Sequence, residues 1–418
     1  MKVPEKMLAR LYGAEDSGRQ KRRYRDLLRE YAGSFEKPQP ALYVSSPGRT
    51  ELGGNHTDHN NGRVLCASVS RDTVALCGPR SDNRAKLRTS ALPGLFDVDL
   101  GDLQPRPEER ETSHALIRGV AAGFREEGFA IGGFSAIIHS EVGIGSGLSS
   151  SASFEVLLGG ILSALYNDGR VDPLAVATIA RRAENEYFGK PCGLMDQAAA
   201  ALGGVLALDF EEEDTPAVVR VPADFARSEY VLAVVHTGAG HEGLTDAYAA
   251  IPAEMRAAAA LFGQKTLRGV SERAFRARLP EVRRRAGDRA ALRALHFFAE
   301  NQRVGLMAEA LAAGRFDDHV RLVAASGASS AGLLQNTVPP GGSGRSQPAA
   351  LALALSNEFL ARAGRGACRI HGGGFAGTVQ AYVHRDDFRA YSRLLTPLFG
   401  KGSVEPLRIR AEGVTPVA

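Results

Sequence analysis

Hydrogen-bonding side chains are concentrated in one short stretch near the N-terminal end of the chain, residues 47–62, which read "PGRTELGGNHTDHNNG". Its charged, amide and imidazole residues are Arg49, Glu51, Asn55, His56, Asp58, His59 and Asn60. A surface turn needs few such residues. A small polyhydroxylated ligand needs many, because each hydroxyl that is buried without a partner costs about 1–3 kcal/mol. The stretch therefore predicts a pocket for such a ligand.

A second stretch, residues 143–152, reads "GIGSGLSSSA" and leads from alternating glycines into a predicted helix. Helix N-termini carry free backbone N–H groups and a partial positive charge, and glycine lets this backbone approach a ligand closely. The combination favours phosphate binding, and a serine hydroxyl in such a place can ligate Mg²⁺. The alternative is a loop with an N-capping serine and no ligand.

Other nucleotide-binding motifs do not occur in this sequence. There is no G-x-x-x-x-G-K-[ST], and no G-x-G-x-x-G is followed by an acidic residue at the spacing of dinucleotide-binding folds. Residues 384–386 read HRD, but the downstream asparagine and the D-F-G of protein kinases are missing. Walker-loop, dinucleotide-binding and protein-kinase folds are thereby excluded.

Two further stretches complete a set of residues that could transfer a phosphoryl group. Residues 184–197, "ENEYFGKPCGLMDQ", provide Glu184 and Asp196, and residues 369–377, "RIHGGGFAG", provide a second glycine-rich segment. Phosphoryl transfer needs phosphate ligands, a Mg²⁺ site and a group that positions the attacking hydroxyl. The glycine loop, a Ser–Glu pair and Asp196 are candidates for these roles, and a cation such as Arg49 would keep the aspartate ionised.

The elements that must position these residues follow from periodicity. Strands are predicted at 41–46, 63–69, 72–78, 86–90, 132–142, 203–210 and 230–238. Helices are predicted at 17–34, 148–166, 173–188 and 346–364, with mostly helical chain over 253–330 and a strand–helix–strand end from Cys368. This pattern predicts an α+β protein of two domains, residues 1–205 with the polar stretch and the glycine loop, and residues 206–418 with the second glycine segment.

Composition narrows the function classes. The chain has 418 residues, 44% of them hydrophobic and 23% charged, as expected for a globular protein with a substantial core. A net charge of +4 gives no reason to expect a nucleic-acid partner. The four cysteines form no C-x-x-C pair, and neither a signal peptide nor a long apolar run is recognisable. We expect a cytoplasmic protein without a membrane partner; the sequence leaves the oligomeric state open, with a monomer as a plausible form.

The ordered set of motifs resembles the GHMP small-molecule kinases, and among them the galactokinase branch. The resemblance rests on "PGRTELGGNHTDHNNG", "GIGSGLSSSA", "PCGLMDQ", "RALHFFAENQR" and "GGGFAG", and it covers roughly residues 40–385. It implies a two-domain fold, with an N-terminal domain like ribosomal protein S5, a ferredoxin-like helical C-terminal domain and the active site between them. It also implies ATP and Mg²⁺ as cofactors and a small sugar as substrate.

The resemblance also implies a role for individual residues. Asp196 would be the catalytic base or orient the anomeric hydroxyl, with Arg49 beside it, and Ser151 with Glu184 would hold Mg²⁺. The expected ATP-phosphate ligands are Gly143, Gly145, Ser146, Gly147, Ser149, Ser150 and Ser151. The expected sugar contacts are Asn55, His56, Asp58, Gly193 and Tyr248. The implied activity is direct in-line transfer from ATP to the C1 hydroxyl of a sugar, with galactose expected.

Plainer interpretations of the same residues remain. Arg49 and Asp58 could form an ion pair that orders the turn, Asp196 could cap a helix, and Tyr248 lies on an amphipathic helix where a core role is favoured. The sequence also departs from the usual galactokinase pattern, which has Glu, Tyr and Asn where this chain has Asn55, His59 and Glu51. These departures leave open a C1 kinase of another hexose or of a hexuronic acid. A non-catalytic sensor that binds galactose and ATP is a further alternative.

Overall fold

The computed structural model describes residues 3–35, 39–143, 145–212, 215–238, 240, 243–340 and 344–417. Its strands are β1 Leu42–Gly53, β2 Arg63–Pro79, β3 Arg84–Thr89, β4 Leu92–Asp99, β5 Phe134–Ser140, β6 Val205–Asp209, β7 Ala217–Val221, β8 Tyr230–His236, β9 Ala367–Ile370, β10 Thr378–His384, β11 Val404–Pro406 and β12 Thr415–Pro416. Its α-helices are α1 Glu5–Tyr12, α2 Ser17–Ser34, α3 Ser113–Glu126, α4 Ser150–Tyr166, α5 Pro173–Arg182, α6 Met195–Leu202, α7 Thr245–Ala260, α8 Glu272–Ala277, α9 Leu279–Ala286, α10 Asp288–Ala312, α11 Phe316–Ser329, α12 Pro348–Ala363 and α13 Arg385–Phe399. The predicted α+β class is confirmed.

The strands form two sheets. The larger one has the order β12-β1-β2-β5-β3-β4, with β6 on β2 and β7 on β6, and its pairings are antiparallel except that of β3 with β5. The smaller sheet has the order β11-β8-β10-β9 and is antiparallel throughout. The chain thus leaves the larger sheet after Val221, enters the smaller one at Tyr230, and returns to the larger one at its C-terminal end. The domain boundary near residue 205 stays a prediction.

The larger sheet is covered on both faces. Successive side chains of a strand point to opposite faces of the sheet, and on the central strand β2 both sets are buried. On β2, Val64 and Cys66 belong to the core against helices α3 to α6, whereas Leu65 and Ala67 belong to the core that includes α10 and α11. Helices α1 and α2 cover another part of the sheet. Helices α12 and α13 pack on the smaller sheet.

Strand β2 runs unbroken through the two segments that the sequence analysis kept apart. Its register with β1 shifts where Pro47 pairs with Asp72 and Gly48 with Val69, so Ser70 and Arg71 bulge out without ending the strand. A β-bulge accommodates such extra residues while the ladder continues on both sides. The predicted break between residues 69 and 72 is therefore wrong, although both flanking strand predictions are confirmed.

The polar stretch is half strand and half loop. Strand β1 continues to Gly53, well beyond the predicted end at residue 46, because β2 pairs with it along this whole length. The remaining residues, 54–62, form a short loop with a single turn of 3₁₀-helix at Asp58–Asn60. Arg49 and Glu51 consequently lie two residues apart on one strand, where side chains share a face.

No helix in the described ranges is both long enough and apolar enough to cross a bilayer.

Candidate active site

The centre of the site is an ion pair between β1 and the start of α6. The Arg49 guanidinium donates to both carboxylate oxygens of Asp196, with Nε–Oδ1 at 2.6 Å and Nη2–Oδ2 at 2.9 Å. The Ser149 hydroxyl donates to Oδ2 of the same carboxylate. Burial alone would raise the pKa of Asp196, but Arg49 and the Ser149 hydrogen bond outweigh burial and hold it below its usual value. Asp196 is therefore an ionised acceptor at neutral pH.

The geometry bears on two plainer interpretations, an Arg49–Asp58 ion pair and a capping role for Asp196. Arg49 pairs with Asp196 and not with Asp58, whose Oδ1 accepts from the backbone N–H of His59 at 3.0 Å. Asp196 lies in the first turn of α6, where a carboxylate is favoured by the helix dipole, but the N-cap residue of this helix is Leu194. The ion pair, rather than a capping interaction, fixes its position.

The glycine loop lies directly beside this ion pair. Arg49 donates through its side chain to the carbonyl of Gly147 and through its backbone N–H to the carbonyl of Leu148, the latter at 3.0 Å. The loop then enters α4 at Ser150, whose first turn offers free N–H groups. Gly145 and Gly147 have φ values of +74° and +78°, a region that favours glycine. Ile144 of the predicted phosphate loop lies outside the described residues.

The loop also touches the C-terminal part of the chain. The Thr378 hydroxyl donates to the carbonyl of Ser146 at 3.0 Å. A Cβ on Gly147 would lie 3.0 Å from His371 Nδ1 and 3.2 Å from the Thr378 hydroxyl, so glycine is needed here for space as well as for φ. His371 Nε2 lies 3.2 Å from the Glu51 amide nitrogen and 2.9 Å from the Thr50 hydroxyl. His371 thus packs against the glycine loop and hydrogen-bonds to β1.

The predicted magnesium ligands lie together at the start of α4. The hydroxyl of Ser151 is 3.2 Å from Oε1 of Glu184, which lies on the π-helical segment Ala183–Phe188. Oε2 of the same carboxylate accepts from Gln197 at 2.8 Å, and Gln197 also donates to Glu155 at 3.1 Å. Mg²⁺ takes one or two protein oxygens and fills its other positions with water and phosphate oxygens. A hydroxyl and a carboxylate oxygen at this separation fit that requirement.

A polar cavity of about 270 Å³ opens between these elements. Its walls are Arg49, Glu51, Gly54, Asn55, His56, Asp58, His59, Val64, Lys190, Pro191, Cys192, Gly193, Met195, Asp196, Gly372 and Gly373. The predicted sugar contacts Asn55, His56, Asp58 and Gly193 are thus brought to one cavity with the Arg49–Asp196 pair. A larger groove of about 750 Å³ lies elsewhere, and no predicted site residue lines it.

His56 presents an unpaired acceptor at this cavity. Its Nε2 lies 2.9 Å from the carbonyl of Gly373, so Nε2 carries the proton and Nδ1 is an acceptor without a partner in the described structure. Burial, followed by repulsion from His59, lowers the pKa of His56 to about 4, so the ring is neutral. Its φ of +59° is uncommon for a residue other than glycine.

Asn55 differs from the other cavity residues, because protein groups already use its amide. Its Nδ2 donates to the carbonyl of Gly372 at 2.6 Å and to Glu51 at 3.2 Å, and its Oδ1 accepts from Asn336 at 2.7 Å. Glu51 also pairs with Arg369, and both side chains are buried. Two of the three residues that depart from the usual galactokinase pattern, Glu51 and Asn55, thus touch each other, which no local pattern in the sequence indicated.

Tyr248 lies behind the second glycine segment and outside the cavity wall. Its hydroxyl donates to the carbonyl of Gly374 at 2.9 Å, and its ring packs edge-on against Phe375. A Cβ on Gly373 would lie 2.7 Å from the Tyr248 ring, and one on Gly374 would lie 2.4 Å from the carbonyl oxygen of Asn336. The consecutive glycines therefore allow the Tyr248 ring and the Asn336 carbonyl to approach their backbone closely.

Several residues that the sequence analysis did not single out support the cavity from α10 and α11. His296 Nε2 lies 2.9 Å from the carbonyl of Asn55, and His296 Nδ1 lies 2.8 Å from the hydroxyl of Ser329. Glu300 accepts from the backbone N–H of Gly54 at 3.1 Å. The signal that could have found them is the stretch "RALHFFAENQR" at 293–303, in which His296 and Glu300 stand among apolar residues of a predicted helix.

Comparison with known families agrees with this arrangement. Residues 115–204 match the family model of the GHMP kinases N-terminal domain, and residues 29–79 match the galactokinase galactose-binding signature. The first range contains the glycine loop, Ser151, Glu184 and Asp196. The second contains the polar stretch and Arg49.

Solved structures share the fold over nearly the whole chain. The crystal structure of Lactococcus lactis galactokinase complexed with galactose is 26% identical, with a TM-score of 0.80 over 94% of this chain and 99% of that one. Methanococcus jannaschii mevalonate kinase is 13% identical, with a TM-score of 0.61 over 91% and 98% of the two chains. Streptococcus pneumoniae phosphomevalonate kinase in complex with phosphomevalonate and AMPPNP is 14% identical, with a TM-score of 0.60 over 88% and 100%.

These matches confirm the predicted two-domain GHMP-kinase fold and the predicted resemblance to the GHMP kinases. The family model of the N-terminal domain covers the candidate phosphoryl-transfer residues, and the galactose-binding signature covers the polar stretch, so this chain is similar to the GHMP kinases and, among them, to galactokinases.

Proposed function

We propose that the protein is an ATP-dependent galactokinase, which converts ATP and α-D-galactose into ADP and α-D-galactose 1-phosphate. The observation that carries this proposal is the Arg49–Asp196 ion pair. It lies on the wall of a polar cavity, and both of its members contact the glycine loop. A hydroxyl bound in the cavity next to Asp196 would thus adjoin the predicted site of the ATP phosphates. The Lactococcus lactis structure, which holds galactose, supports galactose as the substrate.

In this proposal Asp196 orients the C1 hydroxyl and accepts its proton. The lowered pKa of Asp196 makes it a weak base, which is sufficient because the transition state of phosphoryl transfer is loose and the proton moves late. Arg49 keeps the carboxylate ionised and adds positive charge near the transferring group. The transfer is direct and in line, without a phospho-enzyme.

The glycine loop and the first turn of α4 hold the ATP phosphates through backbone N–H groups and the hydroxyls of Ser146, Ser150 and Ser151. The hydroxyls of Ser146, Ser149 and Ser151 also donate within the protein, to the carbonyl of Gly143, to Asp196 and to Glu184 respectively. Ser151 and Glu184 would hold Mg²⁺, which would neutralise charge on the β- and γ-phosphates when bound. The reducing end of the sugar faces Asp196, and His56, Asp58 and Gly193 contact its other hydroxyls.

The test of this proposal is ADP release with Mg·ATP against galactose, glucose, N-acetylgalactosamine, arabinose and galacturonate. We expect galactose to give the highest kcat/KM. A higher value for another sugar would keep the C1-kinase chemistry and refute galactose as the substrate. No turnover with any sugar, together with binding of galactose and ATP, would favour a non-catalytic sensor.

A second candidate within the same chemistry is a C1 kinase of another hexose or of a hexuronic acid. It is favoured by the cavity wall, which carries the uncommon His59 and the cation Lys190. Galacturonate is in the panel for this reason, because its C6 carboxylate would be attracted to a cation. A preference for galacturonate over galactose would replace the first proposal with this one.

A further inference from the structure

Lys190 is the cation nearest to the predicted magnesium ligand. Its Nζ lies 3.0 Å from Oε1 of Glu184, the same oxygen that Ser151 approaches to 3.2 Å. The Lys190 side chain is 61% exposed, whereas that of Glu184 is 3% exposed. The exposed Lys190 side chain therefore places its ammonium group on the buried carboxylate of Glu184, where the resemblance implies a metal ion.

The backbone around Lys190 is fixed although the segment has no regular secondary structure. The N–H groups of Gly189 and Lys190 both donate to the Glu184 carbonyl, at 3.0 and 3.1 Å. Asn185 accepts from the backbone N–H of Cys192 at 2.7 Å. The main chain thus holds the base of the Lys190 side chain in place. Its four-carbon stem is free to move the ammonium group by several ångströms without moving the backbone.

The charges around Lys190 explain why a cation is needed here in the absence of ligands. Gln197 bridges Glu184 and Glu155, so two buried carboxyl groups lie close together. Burial and the charge of Glu184 both raise the pKa of Glu155. Lys190 also contributes to lowering the pKa of Asp196, so its positive charge is felt on the catalytic side of the cavity. Lys190 therefore lies between the predicted metal end and the predicted sugar end of the site.

We propose that Lys190 neutralises Glu184 while the site holds no nucleotide, and that it moves onto the γ-phosphoryl group of ATP when Mg·ATP binds. This inference rests on the proposed kinase function. Two cations repel each other at one carboxylate oxygen, so Lys190 leaves Glu184 when the metal arrives. The γ-phosphoryl group is the anion that Lys190 would then meet, because Lys190 and Asp196 line the same cavity. An ammonium group is a compact charge suited to phosphate oxygens.

The proposal predicts a difference between two nucleotides, which is measured by calorimetry in the presence of Mg²⁺ and without sugar. Lys190→Met has a stem of similar length without charge, and Lys190→Gln keeps an N–H donor for Glu184, so the test does not depend on the folding of one variant. We expect each variant to weaken binding of the β,γ-imido analogue of ATP by about tenfold, as for the loss of one charge-assisted contact. We expect ADP affinity not to fall, because ADP has no γ-phosphoryl group and Mg²⁺ no longer has to displace an ammonium group from Glu184.

Kinetics provide the second readout. Both variants should lower kcat with the best sugar by about 10–100-fold and leave the KM for that sugar nearly unchanged, the pattern of a lost transition-state contact. Lys401→Met, which removes an exposed lysine after α13, is the matched control and should change neither nucleotide affinity nor turnover.

Equal effects on ADP and on the imido analogue, or no effect on either, would overturn the role of Lys190. An unmodified enzyme that binds nucleotide but phosphorylates no sugar would instead refute the proposed function. The two failures are distinguishable, because the nucleotide comparison needs no sugar.

Discussion

Asp196 depends on long-range contacts for its chemical state. Its partner Arg49 comes from β1 and Ser149 comes from the glycine loop, both far away in the sequence. The motif "PCGLMDQ" identified the aspartate, but it could not show that the carboxylate is held by two hydrogen-bond donors and kept ionised. The residue types were predictable from the sequence, whereas the contacts that set the pKa were not.

Asp196→Asn tests this residue directly. We expect turnover to fall by about 10²–10⁴-fold, because an amide cannot accept the proton of the C1 hydroxyl. ATP affinity should change little, since the glycine loop remains. The matched control is Asp209→Asn on β6, which disturbs an ion pair with Arg63 and Arg268 outside the cavity and should leave kcat unchanged. Near-normal turnover of Asp196→Asn would refute the proposed role of Asp196 as the base.

Glu51 and Asn55 form a second residue-scale test, because they hydrogen-bond to each other beside buried Arg369. Asn55→Glu should destabilise the protein by about 1–3 kcal/mol, since it places two carboxylates together and removes the donor to Gly372. The exchange Glu51→Asn with Asn55→Glu restores one carboxylate and one amide. We expect it to regain at least about 1 kcal/mol relative to the sum of the single changes.

Urea unfolding of the unmodified protein, the two single variants and the exchange gives this coupling energy. Additive losses would show that the contact between the two side chains contributes nothing. The same four proteins, assayed with the sugar panel, report whether the pair influences selectivity or only the shape of the cavity.

At the scale of elements, α10 and α11 determine the position of the polar loop. Local sequence gave the helical segment correctly, because its length and periodicity are strong. The local sequence did not indicate that His296 and Glu300 contact the backbone of the polar stretch, at Asn55 and Gly54. The unpredicted length of β1 has a similar origin, since Pro47 and Gly48 are poor strand formers and pairing with β2 overrides their propensity.

His296→Leu tests the support from α10. Removing its hydrogen bond leaves the Asn55 carbonyl unpaired, so we expect a loss of about 1–3 kcal/mol in unfolding free energy. We also expect the KM for the sugar to rise about tenfold while ATP affinity is retained, because Arg49 and Thr378 still hold the glycine loop. Leu306→Ala lies on an exposed part of the same helix and is the control. An unchanged KM for the sugar in His296→Leu would show that the hydrogen bond from α10 to Asn55 does not contribute to sugar binding.

At the scale of the whole molecule, buried histidines connect stability to pH. Burial is the largest cause of a lowered pKa in His56, His296, His319 and His371, and it brings the pKa of His56 and of His319 to about 4. Below the ordinary value of 6.5 the unfolded chain binds protons that the folded protein does not. Stability therefore falls as the pH falls from 6.5 toward 4, by up to about 1.4 kcal/mol per pH unit for each such histidine.

Glu51 and Glu155 act in the opposite direction, because burial raises the pKa of both and the folded protein takes up their protons first. Four histidines against two carboxyl groups leave a net loss of stability in acid. Urea midpoints measured from pH 7.5 to pH 4.5 should decrease steadily, and His319→Gln, far from the cavity, should flatten the slope. A midpoint independent of pH over this range would contradict the assignment of neutral buried histidines.

The sequence by itself determined the resemblance to the GHMP kinases, the α+β class, the order of most elements and the candidate residues for the chemistry. These depend on residue type, short spacing and local periodicity, which are properties of short segments of the sequence. The tertiary structure alone decided that Arg49 pairs with Asp196 instead of Asp58, that Asn55 is engaged by protein groups, that Tyr248 supports the glycine segment and that Lys190 covers Glu184. These contacts join segments far apart in sequence, and packing of the two sheets and their helices, rather than any local preference, brings them together.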